Sequence, residues 1–464
     1  FMARLFDAIM EETRGGRDAP QKTTQKHAGV KIDGFGTPDF TLFSAFLGRI
    51  WALTLSHQTM KEVIDTFKKG GVGKSVLDDP EITKFRKMAG LHEEYMMVWL
   101  SLKDLMEQSL AQMSDEEKKA SEYGRGWVPQ TWFSACGKDE QGLFSEVNLF
   151  KFGKSGREAF AKLQESPVEA PAGLLVKPDD VYVCLLASGN LGAVVYDMVR
   201  AALREEYFWR RRWDENATDP CKELDDWQKQ VGIDLRKDLF EQMKSPVEFY
   251  VIRAPGGGAF PEMLLVVPLA DGERFAKALE KIMGPQGQGK ESPFKKKKIG
   301  DLEVYVLEIP PRERRTDLGN IPWTPAFCVK DNVLFAATQP QLVRRAIRRF
   351  SKRYQPNDSL KRFLKDAPNS GLALYFNLPA IAAYSYNTFI PFIKKDRWTM
   401  RDLERLGIDL DLLPDAEVIS EHFYPTWLTV SHKDGLTRMV CRGEGLSLFS
   451  EFETVIGTIL FGAM

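Results

Sequence analysis

An internal duplication constrains the fold of this 464-residue chain more than any other feature of its sequence. Three segments recur in the same order: residues 50–67 match 333–350, residues 96–102 match 372–378, and residues 132–139 match 427–434. A Gly-Leu pair follows the third segment in each copy, at Gly142 and at Gly435. Because the segments recur in the same order, the sequence predicts two tandem copies of one structural unit.

The first copy is predicted to be the shorter one. The second copy begins near Leu175. The opening segment of the chain, Phe1–Met10, corresponds to a segment of the second copy that begins at Phe275, 100 residues after its start. From this difference we expect the natural polypeptide to extend upstream of Phe1. The predicted domains are a first unit over residues 1–170 that is incomplete at its N-terminal side, a complete second unit over residues 171–445, and an apolar C-terminal segment over residues 446–464.

The second copy alternates short strands with helices. Period-two apolar patterns predict strands over residues 180–187, 247–252, 263–267, 301–309 and 371–376, and hairpins over 323–337 and 427–442. Helical spacing predicts helices over residues 190–204, 235–243, 273–283, 340–351 and 359–366. Paired strands interspersed with helices indicate the α+β class, with an antiparallel sheet and packed helices in each unit.

Composition narrows the possible partners. The chain has 64 Lys and Arg against 65 Asp and Glu, so it lacks the basic excess that is typical of nucleic-acid-binding proteins. Its longest C-terminal apolar run, residues 455–461, is too short to cross a bilayer. That run predicts either a packed helix or the start of a longer apolar segment.

One stretch spells the phosphate loop of the partition-type ATPases. Residues 69–75 read KGGVGKS, and in such loops glycine amides hold phosphates while lysine and serine contact phosphate and magnesium. A phosphate loop must follow a strand and open a helix, yet residues 59–67 have helical spacing. The second copy has no glycine in the corresponding segment. The residues of this nucleotide-binding alternative are Lys69, Gly71, Gly73, Lys74 and Ser75.

Other patterns do not predict catalysis. His422 and His432 could form a weak metal site beside Glu421, but a hydrogen-bonded histidine is the commoner outcome. The five cysteines include no CxxC pair, and no GxSxG motif occurs. We therefore expect no catalytic residues, no metal and no cofactor.

A basic and aromatic segment is the strongest candidate for partner binding. Tryptophan and arginine are enriched in interface anchors, although such a face can also be simply solvated or paired with nearby Glu205 and Glu206. The predicted binding residues are Trp209, Arg210, Arg211, Arg212 and Trp213. Further basic clusters lie after Pro340 and at Lys295–Lys298, and all of these could also contact anionic lipid headgroups.

The chain resembles a family of uncharacterised bacterial proteins that is known mainly as a domain of unknown function. The resemblance lies in the segment starting at Pro178 (PDDVY), the strand and helix of residues 327–350, residues 374–378 (LYFNL) and the closing hairpin at Lys433 (KDGL). It implies export, an N-terminal signal or membrane segment, and a periplasmic or cell-envelope location. The family carries no assigned catalytic residues, so the resemblance implies none here.

Together these observations predict a non-enzymatic accessory or scaffold protein of the bacterial envelope. Its two copies share apolar framework positions but no polar constellation that could carry out a reaction. Its partners would be other protein subunits in a larger assembly, with possible contact to a membrane surface and none to nucleic acid. The alternatives are a nucleotide-binding switch through residues 69–75 and a carrier of an apolar or lipid ligand.

Overall fold

The structure is a computed structural model of the chain. It describes residues 21–37, 40–47, 50–54, 56–69, 80–101, 114–115, 118, 122–214, 216–255, 260–283, 294–300, 302–308, 315–316, 319–320, 323–395, 400–401, 409–410 and 412–444. The chain divides into two compact units, Phe1–Met88 and Ala89–Met464. The predicted opening helix and the apolar C-terminal segment lie outside the described residues.

The first unit is a four-stranded antiparallel meander followed by helices. Its elements are β1 (Gln21–His27), β2 (Val30–Thr37), β3 (Phe40–Leu47), β4 (Ile50–Thr54), α1 (His57–Lys68) and α2 (Pro80–Ala89), whose last residue belongs to the second unit. Ser56 caps α1 by accepting a hydrogen bond from the Thr59 amide. Met60 and Ile64, one turn apart on α1, are fully buried with Ile32 of β2.

The second unit contains the large sheet. Its elements are β5 (Glu93–Ser101), α3 (Glu122–Arg125), β6 (Pro129–Lys138), β7 (Phe144–Phe152), α4 (Lys154–Glu165), β8 (Val181–Ala187), α5 (Leu191–Trp213), α6 (Pro220–Val231), α7 (Leu235–Asp238), β9 (Val247–Ile252), β10 (Glu262–Pro268), α8 (Gly272–Met283), β11 (Phe294–Ile299), β12 (Leu302–Leu307), β13 (Arg315–Thr316), β14 (Gly319–Asn320), β15 (Ala326–Lys330), β16 (Val333–Ala337), α9 (Pro340–Arg349), α10 (Asp358–Asp366), β17 (Leu372–Phe376), α11 (Leu378–Ile393), α12 (Ala416–Ser420), β18 (Thr426–Lys433) and β19 (Leu436–Gly443). The predicted α+β class is confirmed.

Thirteen of these strands form one antiparallel sheet. Their order is β11-β12-β15-β16-β10-β9-β8-β17-β18-β19-β7-β6-β5. The hairpins β6-β7 and β18-β19 turn through Gly142 and Gly435, which have positive φ angles of 74° and 76°. Glycine adopts this left-handed conformation without the steric cost that a Cβ would impose.

The two hairpins join edge to edge through β7 and β19. Val147 pairs with Val440 at the centre of this contact, Phe150 pairs with Thr437, and Phe144 pairs with Gly443. Counted from each turn glycine, Val147 and Val440 occupy the same position. The two strands therefore meet at the same distance from their turns.

Helices cover both faces of the sheet from β15 to β17 in the strand order, which includes β16, β10, β9 and β8. Strand residues alternate between the faces, so neighbours such as Val266 and Val267 enter different cores. One core contains Val343 of α9 and Phe363 of α10, and the other contains Phe275 of α8. Buried apolar side chains on both faces make this part of the sheet the main folding core of the second unit.

A buried ion pair lies in the first of these cores. The Arg353 guanidinium donates to both carboxylate oxygens of Glu248, at 2.7 and 2.8 Å, and also to the Gly173 carbonyl oxygen. The Glu248 side chain is 1% exposed, and the Tyr250 hydroxyl donates to it at 2.5 Å. Burial is the main reason why the pKa of Tyr250 is raised, with the charge of Glu248 second.

We predict that Arg353→Met strongly destabilises the chain. It leaves the Glu248 carboxylate buried without its counter-ion, which costs about 3–5 kcal/mol of unfolding free energy. The double variant Glu248→Leu/Arg353→Met should regain a substantial part of that loss. Urea unfolding measures the stability of both variants. The control is Lys277→Ala, which removes an exposed ion pair with Glu273 and should leave the urea midpoint unchanged. A double variant no more stable than Arg353→Met would contradict this account.

Candidate functional site

An open cleft of about 2260 Å³ lies in the second unit between α3, α4, α5 and α6. Eight basic and five acidic side chains line it, together with aromatic residues of α5. The cleft therefore combines a basic excess with apolar surface, which suits a ligand that carries both acidic and apolar groups.

One face of α5 forms the long wall of the cleft. This helix has 23 residues and is about 34 Å long. Asp197, Arg200, Arg204, Phe208 and Arg211 line the cleft at intervals of three or four residues. That spacing places them on a single face of a helix, because an α-helix repeats every 3.6 residues.

Arg200 connects α5 to α6. Its guanidinium donates to both carboxylate oxygens of Asp225, at 2.5 and 2.9 Å, and to the Tyr196 hydroxyl at 3.2 Å. The hydrogen bond from Arg200 is the largest cause that lowers the pKa of Asp225, and the charges of Lys229 and Arg204 add to it. This two-point contact fixes the separation of the two helices.

Asp197 connects α5 to two further helices. Its carboxylate lies 3.4 Å from the Lys162 ammonium of α4 and 3.0 Å from the Arg236 guanidinium of α7. Arg236 also contacts Glu241 at 2.9 Å. These groups therefore hold the walls of the cleft together.

Three other basic residues of the cleft differ from Lys162, Arg200 and Arg236 in their contacts. Lys154, Arg204 and Arg211 line it, and none of them forms an ion pair with another residue of the described part of the chain. Lys154 begins α4, whose preceding residue Gly153 provides no side-chain cap. A helix N-terminus attracts negative charge, so its field adds to that of the three cations.

The predicted partner-binding segment forms the last turns of α5. This helix was expected to end at Arg204 but continues to Trp213. Arg211 lines the cleft, whereas Arg210 forms an exposed ion pair with Glu206 at 2.6 Å. The side chains of Trp209, Arg212 and Trp213 are outside the described part of the structure.

The structure gives the nucleotide-binding alternative no strand before its loop. The element that ends immediately before Lys69 is helix α1, as its spacing predicts. Gly71, Gly73, Lys74 and Ser75 lie outside the described residues. The alternative therefore stays a prediction without the preceding strand that a phosphate loop requires.

The remaining candidates from the sequence, His432 and the lysines of β11, contact side chains that lie near them in the fold. His432 lies 3.1 Å from the Thr437 hydroxyl through Nδ1, and burial lowers the pKa of its imidazole. Within the described residues, no three His, Cys, Asp or Glu side chains converge as a metal-binding group. Lys295 and Lys297 of β11 both contact Glu308 at 2.8 Å.

Of the helices that the structure describes, none combines the length and the apolarity that crossing a bilayer requires. No known protein family, no curated protein and no solved structure matches the chain. The family resemblance and the envelope location therefore stay predictions.

Sequence reasoning identified one end of the cleft and missed the rest. The pattern of Asp197, Arg200, Arg204, Phe208 and Arg211 is present in the sequence and could have indicated a single helix face. The opposite wall could not be predicted, because α3 and α4 meet α5 only through tertiary packing.

We predict a pH-dependent effect of Asp225→Asn. The pKa of Asp225 lies below its ordinary value of 3.8, so the pair with Arg200 stabilises the fold above that pH and loses its effect as pH falls through the lowered pKa. Urea unfolding should therefore show a stability gap between wild type and variant at pH 7 that narrows below about pH 4. The matched control Asp226→Asn changes an exposed pair with Lys229 and should give a smaller gap at pH 7. A gap that widens on acidification would refute the assignment.

Proposed function

We propose that the protein is a non-enzymatic accessory protein that binds an acidic segment of a protein partner in the cleft beside α5. The observation that carries this proposal is the set of Lys154, Arg204 and Arg211, which line the cleft without an ion pair to any other described residue. Placement in a larger assembly of the bacterial envelope belongs to the same proposal and depends on the family resemblance alone.

Binding is favoured over catalysis because five of the other charged groups of the cleft already have structural roles. Asp197, Lys162 and Arg236 connect three helices, and Arg200 with Asp225 connects a fourth. A general acid or base must exchange protons with a substrate, whereas these groups are engaged in ion pairs that hold the walls. The cleft therefore offers a preformed surface for recognition.

The mixed lining favours a protein segment over a polyphosphate or a purely apolar ligand. Glu122 and Glu158 share the cleft with the basic residues and would repel a dense negative charge. Tyr207 and Phe208 add aromatic surface next to Arg204 and Arg211. Interfaces between proteins commonly combine aromatic and arginine anchors in this way.

The proposal includes a tandem architecture, in which two copies of one α+β unit form the chain. Strand registers support it. Trp99 pairs with Phe133, which pairs with Leu149, and the same three-strand arrangement recurs with Tyr375, Trp427 and Arg442. The strand registers make Phe133 the counterpart of Trp427. The sequence match of residues 132–139 with 427–434 instead indicates Trp132, one residue earlier. Burial agrees, since Phe133 is 1% exposed and Trp427 is 0% exposed.

The first unit supports the same architecture. Its pair Ala45–Ala52 corresponds to Cys328–Phe335 in the second copy. Its helix α1 corresponds to α9, and Met60 and Val343, at matched positions, are both fully buried. In the proposed second copy, β10, β9 and β8 join β16 to β17 within one sheet, whereas the corresponding strands β4 and β5 belong to two different sheets of the described residues. The chain divides between these two strands, at Met88–Ala89, and not at the predicted boundary after residue 170.

We predict that charge reversal in the cleft weakens binding of an acidic peptide. The probe is a fluorescent peptide that alternates glutamate and leucine, and its binding is followed by fluorescence anisotropy. Arg204→Glu and Arg211→Glu should each weaken binding about tenfold, because each replaces an attraction with a repulsion. Affinity for the wild-type protein should fall as salt is added.

The matched control is Arg210→Glu, one residue from Arg211 but paired with Glu206 outside the cleft. It should change binding less than about twofold. Trp209→Ala and Trp213→Ala test the aromatic part of the predicted segment in the same assay. If Arg210→Glu and Arg211→Glu weaken binding of the peptide equally, the peptide responds to the overall charge of this helix. The cleft would then not be its binding site.

A further inference from the structure

The cleft beside α5 follows a groove between two antiparallel helices. At one end the Lys162 ammonium of α4 lies 3.4 Å from the Asp197 carboxylate of α5. At the other end both helices meet α3: the backbone carbonyl that follows α3 accepts a hydrogen bond from the Gly156 amide of α4, and a Cβ at Gly124 would lie 2.8 Å from the Glu205 carboxylate of α5. Residue numbers fall along α4 in the direction in which they rise along α5. The two helices therefore run antiparallel.

The α5 wall of this groove has the spacing of a helix-packing seam. Six lining residues follow one another at alternating intervals of three and four, and every second one is apolar: Val194, Asp197, Ala201, Arg204, Phe208 and Arg211. The strip is about 26 Å long at 1.5 Å per residue. A repeat of this kind is the seam along which a second helix packs in a coiled coil.

The α4 wall also suits a helical ligand. Ser155, Ala159 and Lys162 line the cleft at intervals of four and three. The first two have small side chains, and the distance between packed helices depends on the side chains at their contact. A helix of about twelve residues, about 18 Å long and about 10 Å across, occupies about 1400 Å³. The cleft volume of about 2260 Å³ has room for it.

The spacing of two cations favours a helix over an extended strand. Arg204 and Arg211, both exposed, are seven residues apart and therefore about 10.5 Å apart along α5. Two carboxylates seven residues apart on a ligand helix lie on one face and repeat that distance. Along a strand, residues on one face recur at about 7 and about 14 Å, and neither distance matches.

We propose that the cleft binds an acidic amphipathic α-helix of the partner protein. Two carboxylates seven residues apart on that helix face Arg204 and Arg211, and an apolar residue between them faces Phe208. This inference rests on the proposed function and specifies the partner segment. The ion pairs would fix its register and burial of the apolar residue would add affinity, as in other complexes of a helix with a groove.

The first test compares two alanine-based peptides added to the full chain. Both are stapled through outward-facing side chains, because short helices are marginal in water. One has glutamates seven residues apart with leucine between them, and the other has the same composition with glutamates five apart, which puts them on different faces. Fluorescence anisotropy should show at least about tenfold tighter binding of the first peptide than of the second or of the alternating peptide.

The outcomes separate this inference from the proposed function. Equal binding of the two stapled peptides, or tighter binding of the alternating peptide, would overturn the helical ligand and leave the cleft as a site for acidic segments. If no peptide binds, as expected for a cleft that another segment of this chain fills, both proposals are overturned.

Charge exchange tests the register. The N-terminal glutamate of the matched peptide is replaced by lysine, and binding to Arg204→Glu and to Arg211→Glu is measured. A helix in one orientation places that lysine opposite only one of these positions, so only one variant should bind the lysine peptide at least about tenfold more tightly than the wild-type protein does. The control Arg210→Glu should show no such gain, and the urea midpoints should be unchanged because these arginines are exposed. Equal gains in both cleft variants would indicate attraction by overall charge and overturn the proposed register.

Discussion

Backbone pairing between β7 and β19 is the contact on which the architecture of the second unit depends. It joins the β5–β7 hairpin group to the ten strands that end at β19, so one sheet continues through both groups. The contact is centred on Val147 and Val440, and both are buried, at 1% and 3% exposure. Main-chain hydrogen bonds fix its register, and burial of one face makes a slip of one residue costly.

Local signals in the sequence were sufficient to predict most of the strands and helices that the structure describes between residues 171 and 445. Pro340 begins α9 as expected, and the hairpin between β15 and β16 turns at Asp331 and Asn332, both with positive φ. These signals act over a few residues, so the sequence contains them directly. Helix α5 was predicted too short, because Arg204 and the two glutamates after it resemble a helix end but continue the helix as its polar face.

Contacts between distant residues could not be predicted in the same way. Glu248 and Arg353 are 105 positions apart, and only the packing of β9 against the loop after α9 brings them together. The cleft depends likewise on Asp197 meeting both Lys162 and Arg236. A single sequence shows that these residues are charged, but it does not show which of them will be neighbours.

The difference between the two ends of the sheet limits how the protein can assemble. Strand addition can continue indefinitely only if each added chain offers a fresh edge, which is how sheets grow into fibres. In the thirteen-stranded sheet, the exposed lysines of β11 discourage strand addition at one end, whereas β5 at the other end contains the uncharged run Met96–Leu100. A sheet that resists strand addition at one end does not have the two adhesive ends that growth into a filament requires.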